Sequence, residues 1–315
     1  MRKEFKTFSG KLITVGVRDV SLCLQRGELF ALLGQNGAGK TTLMNMLSGL
    51  IRSTSGDALI MGYSVQSQMS VIRKKIGVCP QHDILFDELT PRNHIELYAG
   101  LKGVAQDEWD VLVNERLQAV RLLSVADSPV SSFSGGMKRR LSVMLATLGD
   151  PSVCYLDEPT TGMDPINRRH VWNFIEQFKL DRVIILTTHS MEEAEVLGDR
   201  LGIMAHGRLR AIGSPAAIKY RFGAGYKVSI VTDPSVINDV KYEVKQAAPF
   251  AMLEDDNAGA LLYNIPDKNI GQVGKFVKYL NQDPRGLFKA WGISQDTLES
   301  VFLKIIRDAA AEDMK

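Results

Sequence analysis

A chain of 315 residues has room for about two domains at roughly 150 residues each. Its composition, 45% hydrophobic and 23% charged, is that of a chain with a core to bury. That excludes a disordered tract, a collagen-like repeat and a disulfide-framed miniprotein. With 38 Lys and Arg against 36 Asp and Glu the net charge is only +2, and nothing in that balance favours nucleic acid or an anionic membrane surface.

The amino-terminal Met1-Arg2-Lys3-Glu4-Phe5-Lys6 has no apolar run behind its basic residues and does not read as a signal peptide. Residues 28–33 form an apolar run that stops at Gly34, the profile of a buried strand. After a glycine-rich loop, Leu43, Met46, Leu47 and Leu50 recur at helical spacing and predict an amphipathic helix over 40–50. Strand, glycine loop and helix in that order open a parallel α/β unit. A further helix is expected over 107–123, with Trp109, Leu112, Val113, Leu117 and Val120 on one face. Residues 153–156 read as a second buried strand ending in Asp157-Glu158-Pro159, followed by a helix carrying Val171, Phe174, Ile175 and Phe178. A third apolar strand covers 183–187, and 201–212 reads as a hairpin turning at His206-Gly207. Strands alternating with helices call for a parallel sheet covered on both faces.

The pattern changes near residue 215. Gly223-Ala224-Gly225 reads as a linker or tight turn. Residues 226–230 and part of 260–265 then alternate with period two, each followed by a helical stretch, the last carrying Leu298, Val301, Phe302 and Ile305. This β-α-β-β-α-β succession suits a small α+β ferredoxin-like domain over 221–315, after a larger α/β domain over 1–220. The longest apolar stretches, such as 29–33 and 183–186, are strand-sized, far short of the ~20 residues of a membrane-spanning helix. Cys23, Cys79 and Cys154 have no C-x-x-C spacing and read as reduced thiols, so a soluble, cytosolic chain is expected.

Gly34-Gln35-Asn36-Gly37-Ala38-Gly39-Lys40-Thr41 matches G-x-x-x-x-G-K-[ST] at every fixed position, between the predicted strand and helix. The glycines let the backbone curl so that successive N–H groups face phosphate oxygens, and the positive end of the helix dipole adds to the attraction. Lys40 would neutralise β- and γ-phosphate charge, and the Thr41 hydroxyl would ligate Mg²⁺. A chance lysine after a glycine-rich turn is the alternative, and the strand-to-helix context argues against it. The strand over 153–156 supplies the second element, two adjacent carboxylates at its carboxyl end. Side chains alternate along a strand, so Asp157 and Glu158 cannot share one role. Asp157 is placed to hold the Mg²⁺ shell, and Glu158 to orient or deprotonate the attacking water.

Phe133-Ser134-Gly135-Gly136-Met137-Lys138-Arg139-Arg140 resembles the [LF]-S-G-G-x signature of the ATP-binding cassette family. Other motifs fall in that family's order. Gln81, in Val78-Cys79-Pro80-Gln81-His82-Asp83, looks like the Q-loop glutamine, Gly162-Met163-Asp164 like the D-loop, and His189, in Thr187-Thr188-His189-Ser190, like the switch histidine. The stretch Cys79 to Asp87, the Ser134-Gly135-Gly136-Met137-Lys138-Arg139 run and Gly292-Ile293-Ser294-Gln295-Asp296-Thr297-Leu298-Glu299 look like subfamily A, a group of lipid-moving transporters with a carboxyl-terminal regulatory domain.

The resemblance, which covers 1–220, implies the P-loop NTPase cassette fold: a mixed-sheet core with a RecA-like α/β part, an antiparallel β part and a helical signature subdomain. It implies ATP and Mg²⁺ as cofactors. The phosphate-binding set is then Gly34, Asn36, Gly37, Ala38, Gly39, Lys40, Thr41 and Thr42, with Gln81 beside the nucleotide and, with Thr41 and Asp157, in the metal shell. Glu158, His189 and Lys40 are the implied catalytic residues. Two cassettes would face head to tail, each completing its partner's site with Ser134, Gly135 and Gly136. Those residues precede a predicted helix, a second anion-binding end able to clamp one triphosphate from the far side. Met137 stands where the signature often has Gln, and a thioether cannot replace a carboxamide's hydrogen bonds.

The resemblance also implies an aromatic residue stacking on adenine about 30 positions before the phosphate loop; Phe5 is the expected one, with Phe8 as competitor and core packing as the alternative for either. His189 could instead be a satisfied core histidine, but its place after an apolar strand favours a γ-phosphate sensor. Lys138-Arg139-Arg140 and Arg73-Lys74-Lys75 read as solvated faces rather than nucleic-acid patches, and Glu192, Glu193 and Glu195 as an exposed helical face. Glu254-Asp255-Asp256 reads as a hairpin tip without the spacing of a calcium loop. The resemblance implies that the segment after Gln81 receives a helix from a membrane domain; Leu85 and Phe86 are the candidates for that contact, against internal packing of the helical subdomain.

The expected activity is therefore ATP hydrolysis driving transport, with lipid as the implied cargo. The expected partners are a second nucleotide-binding domain and transmembrane domains, fused or separate, at the cytoplasmic side of a membrane; no nucleic acid and no insertion by this chain are expected. The alternative is a soluble cassette ATPase acting on ribosomes or DNA. Ribosomal types usually carry two cassettes, and DNA-repair types place a long coiled coil between phosphate loop and signature, for which Lys40 and Ser134 lie too close together.

Overall fold

Two short antiparallel strands, β1 (Lys3–Lys6) and β2 (Leu12–Val17), lead into β3 (Leu29–Gly34), whose residues are all buried. A strand covered on both faces has no polar face to show, which is why its sequence runs apolar without alternation. In this computed structural model, which describes residues 1–7, 11–223, 225–257, 259–266, 270–283 and 285–313, the Cα trace divides into two compact units, Met1–Pro215 and Ala216–Lys315. Phe8 and Ala224 lie outside the described residues.

Helix α1 (Lys40–Leu47) follows the glycine loop and stops earlier than the periodicity suggested. Gly49 has φ 72°, and the Leu50 N–H turns back to the Asn45 carbonyl at 2.9 Å, a glycine C-cap that ends the helix and leaves Leu50 67% exposed. A short hairpin, β4 (Leu59–Ile60) and β5 (Tyr63–Ser64), and a single turn α2 (Met69–Ile72) precede β6 (Ile76–Cys79). Three helices then form the helical portion: α3 (Pro91–Lys102), α4 (Trp109–Ala119) and α5 (Gly135–Leu145). The start of α3 is set by Thr90, whose hydroxyl accepts from the Asn93 N–H, with Pro91 in the first turn.

The chain returns to the sheet with β7 (Val153–Asp157), α6 (Pro165–Phe178), β8 (Val183–Thr188), α7 (Met191–Leu197), β9 (Arg200–Ala205) and β10 (Arg208–Gly213). Among the described residues six strands run in the order β10-β9-β3-β8-β7-β6, parallel throughout except for β10 at the edge. The β9–β10 hairpin turns at His206 and Gly207, with φ 50° and 75°, the left-handed pair a tight two-residue turn requires. Phe30, Leu32 and Tyr155 share a core with Leu43 and Met46 of α1, while Ala31 faces the end of α7. The sheet is thus covered on both faces.

After α8 (Pro215–Phe222), the second unit contains β11 (Tyr226–Val231), α9 (Ile237–Ala247), β12 (Met252–Asn257), β13 (Ala260–Ile265), α10 (Ile270–Gln282), β14 (Ala290–Gln295) and α11 (Leu298–Asp313). Its strands run β12-β13-β11-β14 with antiparallel neighbours, and Val228, Ile230, Tyr263, Val240 and Phe276 form its core. Glu254, Asp255 and Asp256 are not a hairpin tip. They lie within the edge strand β12, where Lys227 and Lys241 pair with Glu254 and Asp256.

The helical portion meets the sheet at Gly77 of β6. A Cβ there would stand 1.8 Å from the Ala146 carbonyl oxygen at the end of α5. Neither backbone has a flexible end to move, so Gly77→Ala should cost about 1–3 kcal/mol, in the range for overpacked interiors. A urea unfolding midpoint unchanged from wild type would show that the approach is looser than this.

Candidate active site

The carboxyl ends of β3, β7 and β8 meet at one level because Leu32 pairs with Thr187 and Thr187 with Asp157. Gly34, Glu158 and His189 therefore leave the sheet side by side. Gly37 and Gly39, with φ 82° and 104°, take conformations that side chains resist. A Cβ on Gly39 would lie 2.2 Å from the Gly16 carbonyl oxygen, so only glycine lets the loop pass this close to β2. The β9–β10 turn buttresses the loop, the Gly207 N–H donating to Ala38 O at 3.0 Å.

Lys40 is buried, its Nζ donating to the Gly34 and Gln35 carbonyls at 2.7 and 3.4 Å. Burial pushes its pKa down, and the carboxylates of Glu158 and Asp157 push it back up. Asp157 Oδ1 accepts from Thr41 Oγ1 at 3.5 Å and from the Thr187 hydroxyl. Glu158 sits at φ 51°, rare for a side chain of its kind. Its N–H donates to Thr187 O and Oγ1, both at 3.1 Å, while its Oε2 accepts from Thr161 Oγ1 at 3.1 Å and faces His189 Nδ1 at 3.4 Å. Of the residues expected from sequence, Thr41, Asp157, Glu158 and His189 are thus linked through Thr187, and Lys40 stands within the electrostatic reach of both carboxylates.

Others stand around it. A Cβ on Gly16 would lie 2.8 Å from the Phe5 ring and 3.2 Å from Thr42, so Phe5 stands beside the first turn of α1, with Lys3 Nζ 5.4 Å from its ring. Gln81 is exposed just beyond β6, and Asn36 and Gly37 are exposed in the loop, with Ala38 buried beneath them. Ser134 caps α5 by accepting the Met137 N–H at 3.3 Å, and Gly135 and Gly136 form its first turn; space around Gly135 is open to 4 Å. Among the described residues, no hydrogen bond joins these three to the phosphate loop.

Two readings of charged runs are corrected. Arg139 and Arg140 are buried, not solvated, because each finds backbone carbonyls; Arg140 Nη1 donates to Val120 O at 3.0 Å. Glu193 is only 1% exposed. Its Oε1 accepts from Thr160 Oγ1 at 2.6 Å and from Trp172 Nε1 at 3.0 Å, tying α7 to α6 and to the turn after Glu158. Composition hid both, since only packing tells a buried charge from its exposed neighbours Glu192 and Glu195.

Residues 17–161 match the family model described as ABC transporter. ABC transporter A family member 5 of Arabidopsis thaliana is 42% identical over 318 residues, covering 100% of this chain and 34% of that protein. The chain is an ABC transporter nucleotide-binding domain. A family member 7 of the same plant is 40% identical over 313 residues, covering 99% of this chain and 34% of that protein, so the cassette spans about a third of the length of these relatives. An ATP-binding subunit of an ABC transporter superposes with a TM-score of 0.62 at 29% identity, over 70% of this chain and 92% of that one. A dimeric ATP-binding cassette in a post-hydrolysis state, bound to ADP and Pi, gives 0.63 at 22% identity, over 68% and 95%, a likeness of fold.

The cassette is an ATPase domain, and its geometry suits MgATP. The glycines of the loop leave no Cβ in the cradle, and Thr41 with Asp157 offers the oxygen donors that Mg²⁺ prefers. Next to the exposed Gln81 segment, Phe86 is 54% exposed while its N–H donates to Nε2 of the buried His94 at 2.9 Å; Nδ1 then carries the proton and donates to Thr90 O at 2.9 Å.

Burial holds His94 below its ordinary 6.5, the Thr90 contact opposing. As pH falls the unfolded chain takes up the proton first. The His94 contribution to stability is therefore full above 6.5 and is lost as pH drops through the depressed folded value. We expect the stability difference between wild type and His94→Gln, from urea unfolding over pH ~5 to ~8, to shrink on acidification. A difference independent of pH would show that this imidazole does not titrate with folding.

Proposed function

We propose that the cassette binds MgATP between its own phosphate loop and the signature helix of a second cassette, and that hydrolysis there drives a lipid or similar amphiphile across a membrane. The observation that carries this reading is the contact of the Glu158 carboxylate with His189, one residue beyond the Asp157 that reaches Thr41.

In this reading the loop N–H groups and Lys40 take the phosphates, Phe5 stacks on the base, and His189 senses the γ-phosphate. Thr161 and Thr187 hold Glu158, through its carboxylate and its N–H respectively. Glu158 accepts the proton as the water oxygen bonds to the γ-phosphorus, and the electrons of the broken bond leave on the ADP β-phosphate oxygen. Mg²⁺, when bound, neutralises charge on the β- and γ-phosphate oxygens; Thr41, Asp157 and Gln81 would hold it. Ser134, Gly135 and Gly136 close the partner's site through the N-terminal end of α5.

The transport half of the proposal rests on the subfamily A resemblance. Among the described residues no helix is long and apolar enough to cross a membrane, so the spanning path is assigned to other segments, with Leu85 and Phe86 as the surface that meets them. Phe86 is exposed, Leu85 is half-buried, and the exposed Ile84 beside them joins that surface. Residues 221–315 are assigned a regulatory role on the same ground.

Glu158→Gln should cut ATP turnover by about 10²–10⁴-fold, the usual worth of a general base, while ATP binding persists. Unchanged turnover would remove Glu158 from the mechanism. The transport reading is tested in the native source, by fractionating cells and probing with an antibody to residues 221–315. A band in salt-resistant membranes supports it, whether much larger than this chain or of its own size. A band of the chain's own size confined to the soluble fraction would sink it in favour of a soluble regulatory ATPase.

A further inference from the structure

A buried guanidinium is tolerable only where its donors are met. Arg139 is 4% exposed in α5 and has all five donors engaged. Nε donates to Pro159 O at 3.1 Å, and Nη2 to Asp157 O at 2.6 Å and Glu158 O at 3.0 Å. Nη1 donates to Pro80 O at 2.7 Å and to Asp83 Oδ1 at 3.0 Å. One side of the fork gathers three consecutive carbonyls around Glu158. The other grips the segment that brackets Gln81.

Three successive carbonyls can converge on one cation only if the chain curls, and the curl falls at Glu158, whose φ is 51°. Glu158 has no glycine-like freedom to prefer that bend, so something must hold it there. Its N–H is fixed to Thr187 of β8 and its carbonyl to Arg139 of α5. Between those anchors the direction of the carboxylate is set.

We propose that Arg139 is a positioning residue. It holds the turn over 157–159 in the bend that aims Glu158 at His189, and it makes that bend depend on the Q-loop, whose Pro80 carbonyl and Asp83 carboxylate complete the fork. The inference rests on the reading of Glu158 as general base. Lysine would supply the charge but not a planar fork of five donors, so Arg139→Lys is not a conservative change here.

The test uses the full 315-residue chain and the variants Arg139→Ala, Arg139→Lys, Asp83→Asn and Glu158→Gln. Steady-state ATP hydrolysis is measured with and without added millimolar guanidinium, ATP affinity with a fluorescent ATP analogue, and backbone amide exchange over 80–86 and at Glu158. Misplacement of a reacting group by about 1 Å costs on the order of 10²-fold. Arg139→Ala should therefore lose roughly that much kcat, with ATP affinity changed by no more than about twofold. Guanidinium should restore part of the loss in Arg139→Ala and none in Glu158→Gln, and Arg139→Lys should fall between alanine and wild type. Asp83→Asn should lower kcat less, and speed exchange both over 80–86 and at Glu158.

A folded Arg139→Ala with wild-type kcat, or one whose loss lies in ATP affinity, overturns the proposal, as does Arg139→Lys equal to wild type or guanidinium without effect on Arg139→Ala. If the alanine variant does not fold, Asp83→Asn decides: wild-type kcat and exchange there also overturn it. If Glu158→Gln keeps full turnover, the general-base reading fails. Exchange at Glu158 in Arg139→Lys then judges the tether separately, faster exchange supporting it and unchanged exchange overturning it.

Discussion

Leu32 of β3 lies beside Thr187 of β8, and Thr187 beside Asp157 of β7. On that shared level depends everything chemical in the cassette. A slip of one residue in either pairing would turn each side chain to the opposite face of the sheet. It would carry Asp157 away from Thr41, and Glu158 away from the Thr187 groups that fix its N–H. The fully apolar strands are therefore more than filler. Their burial on both faces makes the register expensive to change, and the register lets three separate loops present a lysine, two carboxylates and a histidine to one place.

The charges gathered there survive burial because each has a local partner. Lys40 leans on carbonyls of its own loop, Asp157 takes hydroxyls from Thr41 and Thr187, and Glu158 takes one from Thr161. Neutral hydroxyls satisfy the carboxylate oxygens without neutralising them. A direct lysine–carboxylate pair would have closed the site on itself. Holding the ammonium on main-chain carbonyls instead keeps unlike charges near one another yet separately addressed, as preorganised electrostatics requires.

How far the sequence could be read followed the range of the interaction concerned. The phosphate loop, the carboxylate pair at the end of β7 and the His206-Gly207 turn are local, each written within a few residues, and all three stand where the pattern put them. The helix over 40–50 was overextended because hydrophobic spacing continues through Leu50 while Gly49 stops the backbone first. The small strands β1, β2, β4 and β5 left no clear period, being short and only partly covered. Arg139 and Glu193 were misread for a different reason. A charge run looks solvated until distant segments supply its partners, and those of Arg139 come from 80–83 and 157–159, fixed only when β6 and β7 pair.

Those two misread residues also explain why the turn after β7 can be both bent and firm. Arg139 meets it with donors, drawing in the carbonyls of Asp157, Glu158 and Pro159, while Glu193 meets it with an acceptor, taking the Thr160 hydroxyl and the Trp172 indole. One tether comes from α5, the other from α7, which begins just after His189. A buried cation and a buried carboxylate of this kind are costly to leave half-satisfied, so neither lets go of the turn by small degrees. The turn carrying Glu158 is consequently obliged to move, if it moves at all, together with α5, α7 and the segment around Gln81. Such a joint element has few intermediate positions, and that is the physical condition under which the presence or absence of one phosphate can be converted into a discrete change of shape.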